Sequence, residues 1–158
     1  MASSYKVDVG GLLAGGRSRL VVDEHVRLEP FEGITFPEPA RVHLDLHAAG
    51  DMLEVLGAVD VGIRGECGRC LGEVCRELHV DVDEQLDVGA EAQGDPFGTS
   101  NVLTGDRLDV RDLATQLVVS SIPIGLLCSE ECLGICAACG ENKNSGACTC
   151  RSETTGDE

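Results

Sequence analysis

The chain has 158 residues, a formal net charge of −16 and few large aromatic side chains, with three Phe, one Tyr and no Trp. Its length suits one domain, and its acidity opposes extensive binding to phosphate backbones while favouring basic partners. The first residues show no apolar leader, and the longest apolar stretch, Leu117 to Leu127, is interrupted by Pro123 and too short to span a bilayer. We therefore expect no membrane association and predict a cytoplasmic protein with reduced thiols.

The N-terminal part predicts short strands separated by turns. An extended piece over Tyr5–Val9 precedes a glycine-rich segment, which lacks the Gly-Lys-Ser/Thr ending of a phosphate loop. A strand from Arg17 to Val22 comes next, and a loop marked by Pro and Gly follows over residues 29–39. This part of the chain therefore predicts β-structure without a nucleotide-binding loop.

Residues 41–47 alternate polar and apolar side chains, which predicts a strand with Val42, Leu44 and Leu46 on one face. His43 and His47 then share the opposite, solvated face of that strand. In a helix the same two histidines would form a candidate metal site, but the period of two favours the strand.

Two longer β-like runs follow. The first spans Met52–Ile63 and leads into the cysteines that begin at position 67. The second spans Leu78–Val88, where apolar side chains alternate with aspartates. The aspartates resemble a calcium loop only superficially, because Leu86 occupies the position where that loop requires glycine.

The C-terminal half predicts one main helix after a long connection. Residues 89–106 are rich in turn-forming residues, and connections of that length are usually mobile. Asp109 can cap a helix, with Asp112 at its third position, and apolar residues at helical spacing follow. Pro123 ends this helix near residues 120–121.

These elements predict an α+β fold, with an antiparallel sheet of four or five strands, one main helix and a C-terminal cysteine-rich zinc-binding module at one end. We expect residues 1–127 to form an α+β domain that includes a first zinc knuckle, and residues 128–150 to form the cysteine-rich module. The polar, acidic residues 151–158 are expected to be a disordered tail.

The nine cysteines carry the strongest chemical signal. Closely spaced thiol pairs let one turn deliver two sulfurs to a tetrahedral ion, and two pairs complete a closed zinc site that holds structure and leaves no position for catalysis. Eight cysteines form two such sets, Cys67, Cys70, Cys128 and Cys132 in the first and Cys136, Cys139, Cys148 and Cys150 in the second. We therefore predict two zinc ions, which would bring the net charge to about −20. They would also stabilise a core that has few large aromatic side chains.

Other uses of the same thiols stay open. Cys128, Cys132, Cys136 and Cys139 could form one site, which would leave the pair at residues 67–70 as a redox pair or a relic. Disulfides are a further alternative, although the odd number of cysteines and the missing secretory leader argue against them.

Three stretches carry a family resemblance: Cys67-Gly-Arg-Cys70-Leu71, Asp109 to Leu113 leading into Ile122-Pro123, and Cys128 to Asn142. In order and spacing they resemble the YceD-like family of large ribosomal RNA subunit accumulation proteins, whose domain is called domain of unknown function 177. The resemblance implies a bacterial or plastid protein needed for normal levels of 23S ribosomal RNA, often encoded beside a large-subunit ribosomal protein.

The sequence predicts that the protein is not an enzyme. No nucleophile or acid–base set stands at a recognisable spacing, and Cys75, the one unassigned thiol, has no histidine at catalytic spacing. The alternative function is zinc-dependent thiol redox chemistry or regulation at Cys67 and Cys70, where Arg69 could stabilise a thiolate.

We predict a non-enzymatic factor that supports 23S rRNA accumulation by binding, in one of two forms. In the first, Arg64, Arg69 and Arg76 contact large-subunit ribosomal RNA. In the second, an acidic strand face with Asp81, Asp83 and Asp87 binds a basic large-subunit ribosomal protein. Charge favours the second form, and the oligomeric state is left open.

Overall fold

The computed structural model describes residues 5–88 and 102–150 of the chain. Its elements follow in chain order: β1 (Lys6–Asp8), α1 (Gly10–Leu13), β2 (Leu20–Val26), β3 (Ala40–Ala49), β4 (Met52–Glu66), β5 (Glu73–Asp87), β6 (Leu103–Thr104), β7 (Arg107–Asp109), α2 (Val110–Ser121) and a 3-10 helix (Lys143–Ser145). None of the helices in these residues is long and apolar enough to cross a membrane.

The larger sheet is an antiparallel meander in the order β2-β3-β4-β5. Its longest pair is the β4–β5 hairpin, in register from Met52 opposite Asp87 to Glu66 opposite Glu73. The hairpin therefore carries the residues that follow β4 to one end of the sheet, where the first cysteine pair lies.

One face of this sheet forms the core because its strands alternate apolar and polar side chains. On β3, Val42, Leu44 and Leu46 are completely buried. His43 and His47 lie on the opposite face, within 3.6 Å and 3.1 Å of carboxylate oxygens. The structure thus agrees with the strand interpretation, and neither histidine belongs to a metal-ligand cluster among the described residues.

At one point β3 and β4 approach too closely for a side chain. A Cβ atom added to Gly57 would lie 2.0 Å from the carbonyl oxygen of His43, and the φ of Gly57 is +153°. Only glycine fits such a contact without moving the backbone.

The smaller sheet has the order β1-β7-β6 and leads directly into α2. The Asp109 carboxylate caps α2 by accepting a hydrogen bond from the backbone N–H of Asp112 at 3.1 Å. The buried face of α2 includes Leu113 and Val118, which join the same core as the larger sheet. Helix α2 therefore returns the chain towards the sheet before the later cysteines begin.

The α+β class, the four-stranded antiparallel sheet, the main helix and the C-terminal cysteines that could bind metal are confirmed. Strand β5 begins at Glu73 rather than at Leu78, because its pairing with β4 continues through the hairpin. The end of the predicted 89–106 connection forms β6 and leads into β7.

The remaining predictions on organisation are not decided by the fold. Most of the 89–106 connection and the whole 151–158 tail lie outside the described residues, so their mobility and disorder stay predictions. The domain boundary at residues 127/128 also stays a prediction, and the first cysteine cluster draws thiols from both sides of it.

Candidate metal centres

The structure groups the eight thiols in the partition expected from their spacing. Within each group the four sulfurs all lie within 4.8 Å of one another. The first cluster contains Cys67, Cys70, Cys128 and Cys132, and the second contains Cys136, Cys139, Cys148 and Cys150. The rival grouping of residues 128, 132, 136 and 139 is not the one formed, and metal binding by these eight residues stays a prediction.

The sulfur spacings fit a tetrahedral ion better than disulfides. The Sγ atoms of Cys67 and Cys132, and those of Cys70 and Cys128, are each 3.7 Å apart. Zinc–sulfur bonds of about 2.3 Å in a tetrahedron place the sulfurs about 3.8 Å from one another, whereas a disulfide needs about 2.05 Å. The donor set and its geometry therefore suit a closed four-thiolate site.

Two similar backbone turns position the first pair of thiols in each cluster. In the first turn, the N–H of Leu71 donates to the carbonyl of Cys67 at 2.9 Å, and the φ of Leu71 is +60°. In the second, the N–H of Gly140 donates to the carbonyl of Cys136 at 2.8 Å, with a φ of +77°. A left-handed residue after the second cysteine closes each turn, and only one of the two residues is a glycine.

The two clusters differ in burial. Three thiols of the first cluster are buried, with Cys128 the exposed member. In the second cluster only Cys136 is buried, while Cys139 and Cys150 are exposed. Chelators and thiol reagents therefore have easier access to the second cluster.

Asn144 connects the two clusters. Its side-chain Nδ2 donates to the Sγ of Cys132 at 3.2 Å, and its Oδ1 accepts from the backbone N–H of Leu133 at 2.9 Å. The first bond is the main reason why the pKa of Cys132 lies below its ordinary value. Sequence reasoning did not identify this residue, although it lies in the turn-rich run between Cys139 and Cys148.

Backbone hydrogen bonds lower the pKa of one thiol in each cluster. Backbone donors at Cys70 and then at Cys128 lower the pKa of Cys67 to about 6. Backbone donors at Cys139 and then at Ala138 lower the pKa of Cys136 to about 6. The lowered pKa values favour the thiolate form of both residues, which is the form that binds metal.

Close contact between thiols raises the pKa of other cysteines in the two clusters. Contact with Cys132 raises the pKa of Cys128 to about 12, and contact with Cys139 raises the pKa of Cys150 to about 12. Four thiolates this close repel one another, and a divalent cation would supply the charge that lets all four ionise.

The three arginines proposed for RNA contacts have structural partners. Arg69 donates to the carbonyls of Glu130 and Cys132 at 3.0 Å and 3.2 Å, and Arg76 donates to the carbonyl of Leu127 at 2.7 Å. Arg64 lies 3.8 Å from a carboxylate oxygen of Glu73. Two of the three therefore hold the segment that carries the later cysteines, and RNA contact by any of them stays a prediction.

The predicted acidic face lies on β5, with Asp81, Asp83 and Asp87 on its exposed side. His79 on the same side contacts Asp60 at 2.5 Å and Asp81 at 3.3 Å, and the bond to Asp60 raises the pKa of this histidine. The face is therefore strongly but not uniformly acidic, and partner binding there stays a prediction.

Cys75 lies apart from both clusters. It is exposed on β5, and its Sγ lies 3.8 Å from a carboxylate oxygen of Glu73. It has no place in either four-thiol group, so it serves as an internal reference for the reactivity of the other thiols.

Comparison with known proteins identifies one protein family. The family model described as large ribosomal RNA subunit accumulation protein YceD matches residues 55–158, which include both cysteine clusters. No curated protein and no solved structure shows a significant match to the chain.

Proposed function

The chain belongs to the YceD family of large ribosomal RNA subunit accumulation proteins, and from this premise we propose that it is a non-enzymatic, cytoplasmic factor in large-subunit biogenesis. It supports 23S rRNA accumulation by binding a component of the assembling subunit. The family match over residues 55–158 is the observation that carries this proposal.

The component bound is a basic large-subunit ribosomal protein. A net charge of −16 attracts a basic protein and repels the phosphate backbone. Two of the arginines that would contact RNA, Arg69 and Arg76, donate to backbone carbonyls within the molecule. The third, Arg64, is exposed and lies 3.8 Å from Glu73. The exposed side of β5 carries carboxylates at positions 81, 83 and 87, of which Asp81 also lies 3.3 Å from His79.

Two zinc ions hold the binding module in shape. When bound, each ion would supply the positive charge and the four bonds that keep its thiolates together, with no open position for catalysis. The first cluster would tie the β4–β5 end of the sheet to residues 128–132, and the second would fix residues 136–150. This structural role accounts for the thiols without any redox reaction at Cys67 and Cys70.

Deletion of the gene followed by complementation tests the function. Loss of the protein should lower 23S rRNA relative to 16S rRNA, and the wild-type chain should restore it. Pull-down after nuclease treatment should retain a basic ribosomal protein. Recovery of 23S rRNA without nuclease, together with loss of every ribosomal protein after nuclease treatment, would instead support the RNA-binding form.

Charge variants separate the two forms further. Asp81→Lys with Asp83→Lys should slow association with the ribosomal protein, most strongly at low salt. Arg64→Gln should change it little, whereas under the RNA-binding form it would weaken RNA binding for all sequences alike. Arg64 is the suitable arginine because Arg69 and Arg76 also hold the cysteine segment.

A further inference from the structure

A groove of about 530 Å³ lies beside the first cysteine cluster. Its walls come from residues 31–34, from the turn that follows β4 and from the segment after α2. Among the described residues five large hydrophobic side chains are exposed, and three of them, Phe31, Leu71 and Ile124, line this groove. Exposed apolar side chains gathered in one groove are typical of interaction sites.

The groove also contains both non-glycine residues that have a positive φ in the described parts of the chain. Glu32 has a φ of +46° and Leu71 a φ of +60°. Residues held in this costly conformation cluster where a surface clamps a ligand.

Leu71 is the more informative of the two. Gly140 occupies the equivalent position of the second turn at no steric cost. Leu71 is 60% exposed, so the core gains little from its side chain. Neither the turn nor the core explains a leucine here, whereas a bound partner would.

The charge around the groove selects the kind of partner. Glu32 and Glu66 are its charged lining residues, and no Lys, Arg or His of the described residues lines it. An apolar floor with a carboxylate rim suits a segment that carries apolar side chains flanked by Lys or Arg.

Other occupants fit less well. Residues 1–4, 89–101 and 151–158 of this chain contain a single basic residue, Arg151, and the last of these segments lacks a large apolar side chain. A second copy of the chain carries the same charge of −16 and is repelled. RNA would meet carboxylates at the rim.

We propose that this groove binds an apolar-anchored, basic segment of a large-subunit ribosomal protein. The inference rests on the proposed function, since it names the class of partner and adds a second contact to the acidic face of β5. Glu73 lies beside the groove and 3.8 Å from Arg64. It and Asp81 on that face are eight residues apart on one strand, or about 26 Å at about 3.3 Å per residue. One extended partner can therefore reach both.

The test uses the metal-loaded full chain and an array of peptides of up to 15 residues. The array tiles the large-subunit ribosomal proteins of the source organism and includes residues 89–101 and 151–158 of this chain. The strongest binder is then measured in solution by fluorescence anisotropy. Ile124→Ser is the main variant, because a fully exposed side chain can be replaced without loss of folding. Val21→Ser is its control, an exposed apolar residue that does not line the groove.

We expect the bound peptides to combine large apolar side chains with net positive charge. Ile124→Ser should weaken binding by about tenfold or more, while Val21→Ser should change it by less than about twofold. Glu66→Gln should slow association about threefold at low salt, and Glu24→Gln, on the exposed part of β2, should not.

Several results would overturn the proposal. The proposal fails if no ribosomal peptide binds, or if the Ile124→Ser variant binds the peptide as tightly as the wild-type chain. It also fails if the groove instead binds a second copy of the chain, seen as dimerisation that Ile124→Ser abolishes, or if it binds 23S rRNA. Preferred binding of peptides from residues 89–101 or 151–158 would likewise contradict it. Complementation separates this failure from failure of the proposed function. If the Ile124→Ser chain restores 23S rRNA fully, only the groove inference fails, and if the wild-type chain restores nothing, the function itself fails.

Discussion

The side-chain amide of Asn144 donates a hydrogen bond to the Sγ of Cys132 at 3.2 Å, so a residue in the loop of the second cysteine cluster supports a sulfur of the first. The backbone reinforces this link, since the N–H of Ile135 donates to the carbonyl of Arg69 at 3.1 Å and the N–H of Lys143 donates to that of Gly134 at 2.9 Å. The two clusters therefore form one supported unit at the end of the sheet.

Replacing Asn144 should weaken metal binding at the first cluster. Asn144→Ala removes the donor to Cys132 and leaves the backbone N–H of Leu133 without its acceptor. Outer partners of metal ligands typically change metal affinity by about 10–100-fold, so we expect faster metal transfer from the first cluster to a chromogenic chelator. Lys143→Ala, in the same 3-10 helix, is the control. Equal release rates for the two variants would contradict the linkage.

Metal content tests the two-site proposal directly. We expect about two zinc ions per chain by elemental analysis, about one in Cys67→Ser and about one in Cys136→Ser. Cys75→Ala should keep both, because this thiol lies outside the clusters. The Cys67 change should also loosen the end of the β4–β5 hairpin, measured by amide hydrogen exchange. A fully folded wild-type chain without metal would refute the proposal.

Burial predicts the order in which the thiols react. In the metal-loaded protein, an alkylating reagent should modify Cys75 first, since it is exposed and lies outside both clusters. Cys139 and Cys150 should follow, and the buried thiols of the first cluster should react last. Mass spectrometry of timed samples gives the order. Early modification of Cys67 or Cys70 would show that the first cluster opens more readily than its burial indicates.

Local sequence pattern correctly predicted the strands that have one buried face and one exposed face. The alternation at residues 41–47 gave β3 because every second side chain enters the core. Strands β6 and β7 escaped prediction because they have two and three residues, and β7 is held by pairing with the distant β1. Such pairing leaves little local signal.

The candidate sites were also predictable from local sequence pattern only in part. Cysteine spacing predicted both thiol groups, because each short pair forms within one turn. The contact from Asn144 to Cys132 depends on how the two clusters pack together, so no local pattern announces it. The groove likewise combines Phe31, Leu71 and Ile124 from three separate segments.

Reciprocal changes at the two cysteine turns test why Leu71 is present. Leu71→Gly should stabilise the metal-loaded protein by about 0.5–1 kcal/mol, since relief of about 1–2 kcal/mol of left-handed strain exceeds the entropic cost of glycine. Gly140→Leu should destabilise it by about 1–2 kcal/mol, because its φ is +77° although a Cβ there meets nothing within 4 Å.

Thermal unfolding of the metal-loaded variants measures both effects, with expected shifts of about 2–4 °C per kcal/mol for a chain of this length. The Leu71→Gly chain should nevertheless bind the basic ribosomal peptide about tenfold more weakly, because it loses an apolar wall of the groove. A more stable protein that binds less well would show that Leu71 is kept for the partner. A Leu71→Gly chain that is less stable and binds equally well would show that the leucine serves the fold.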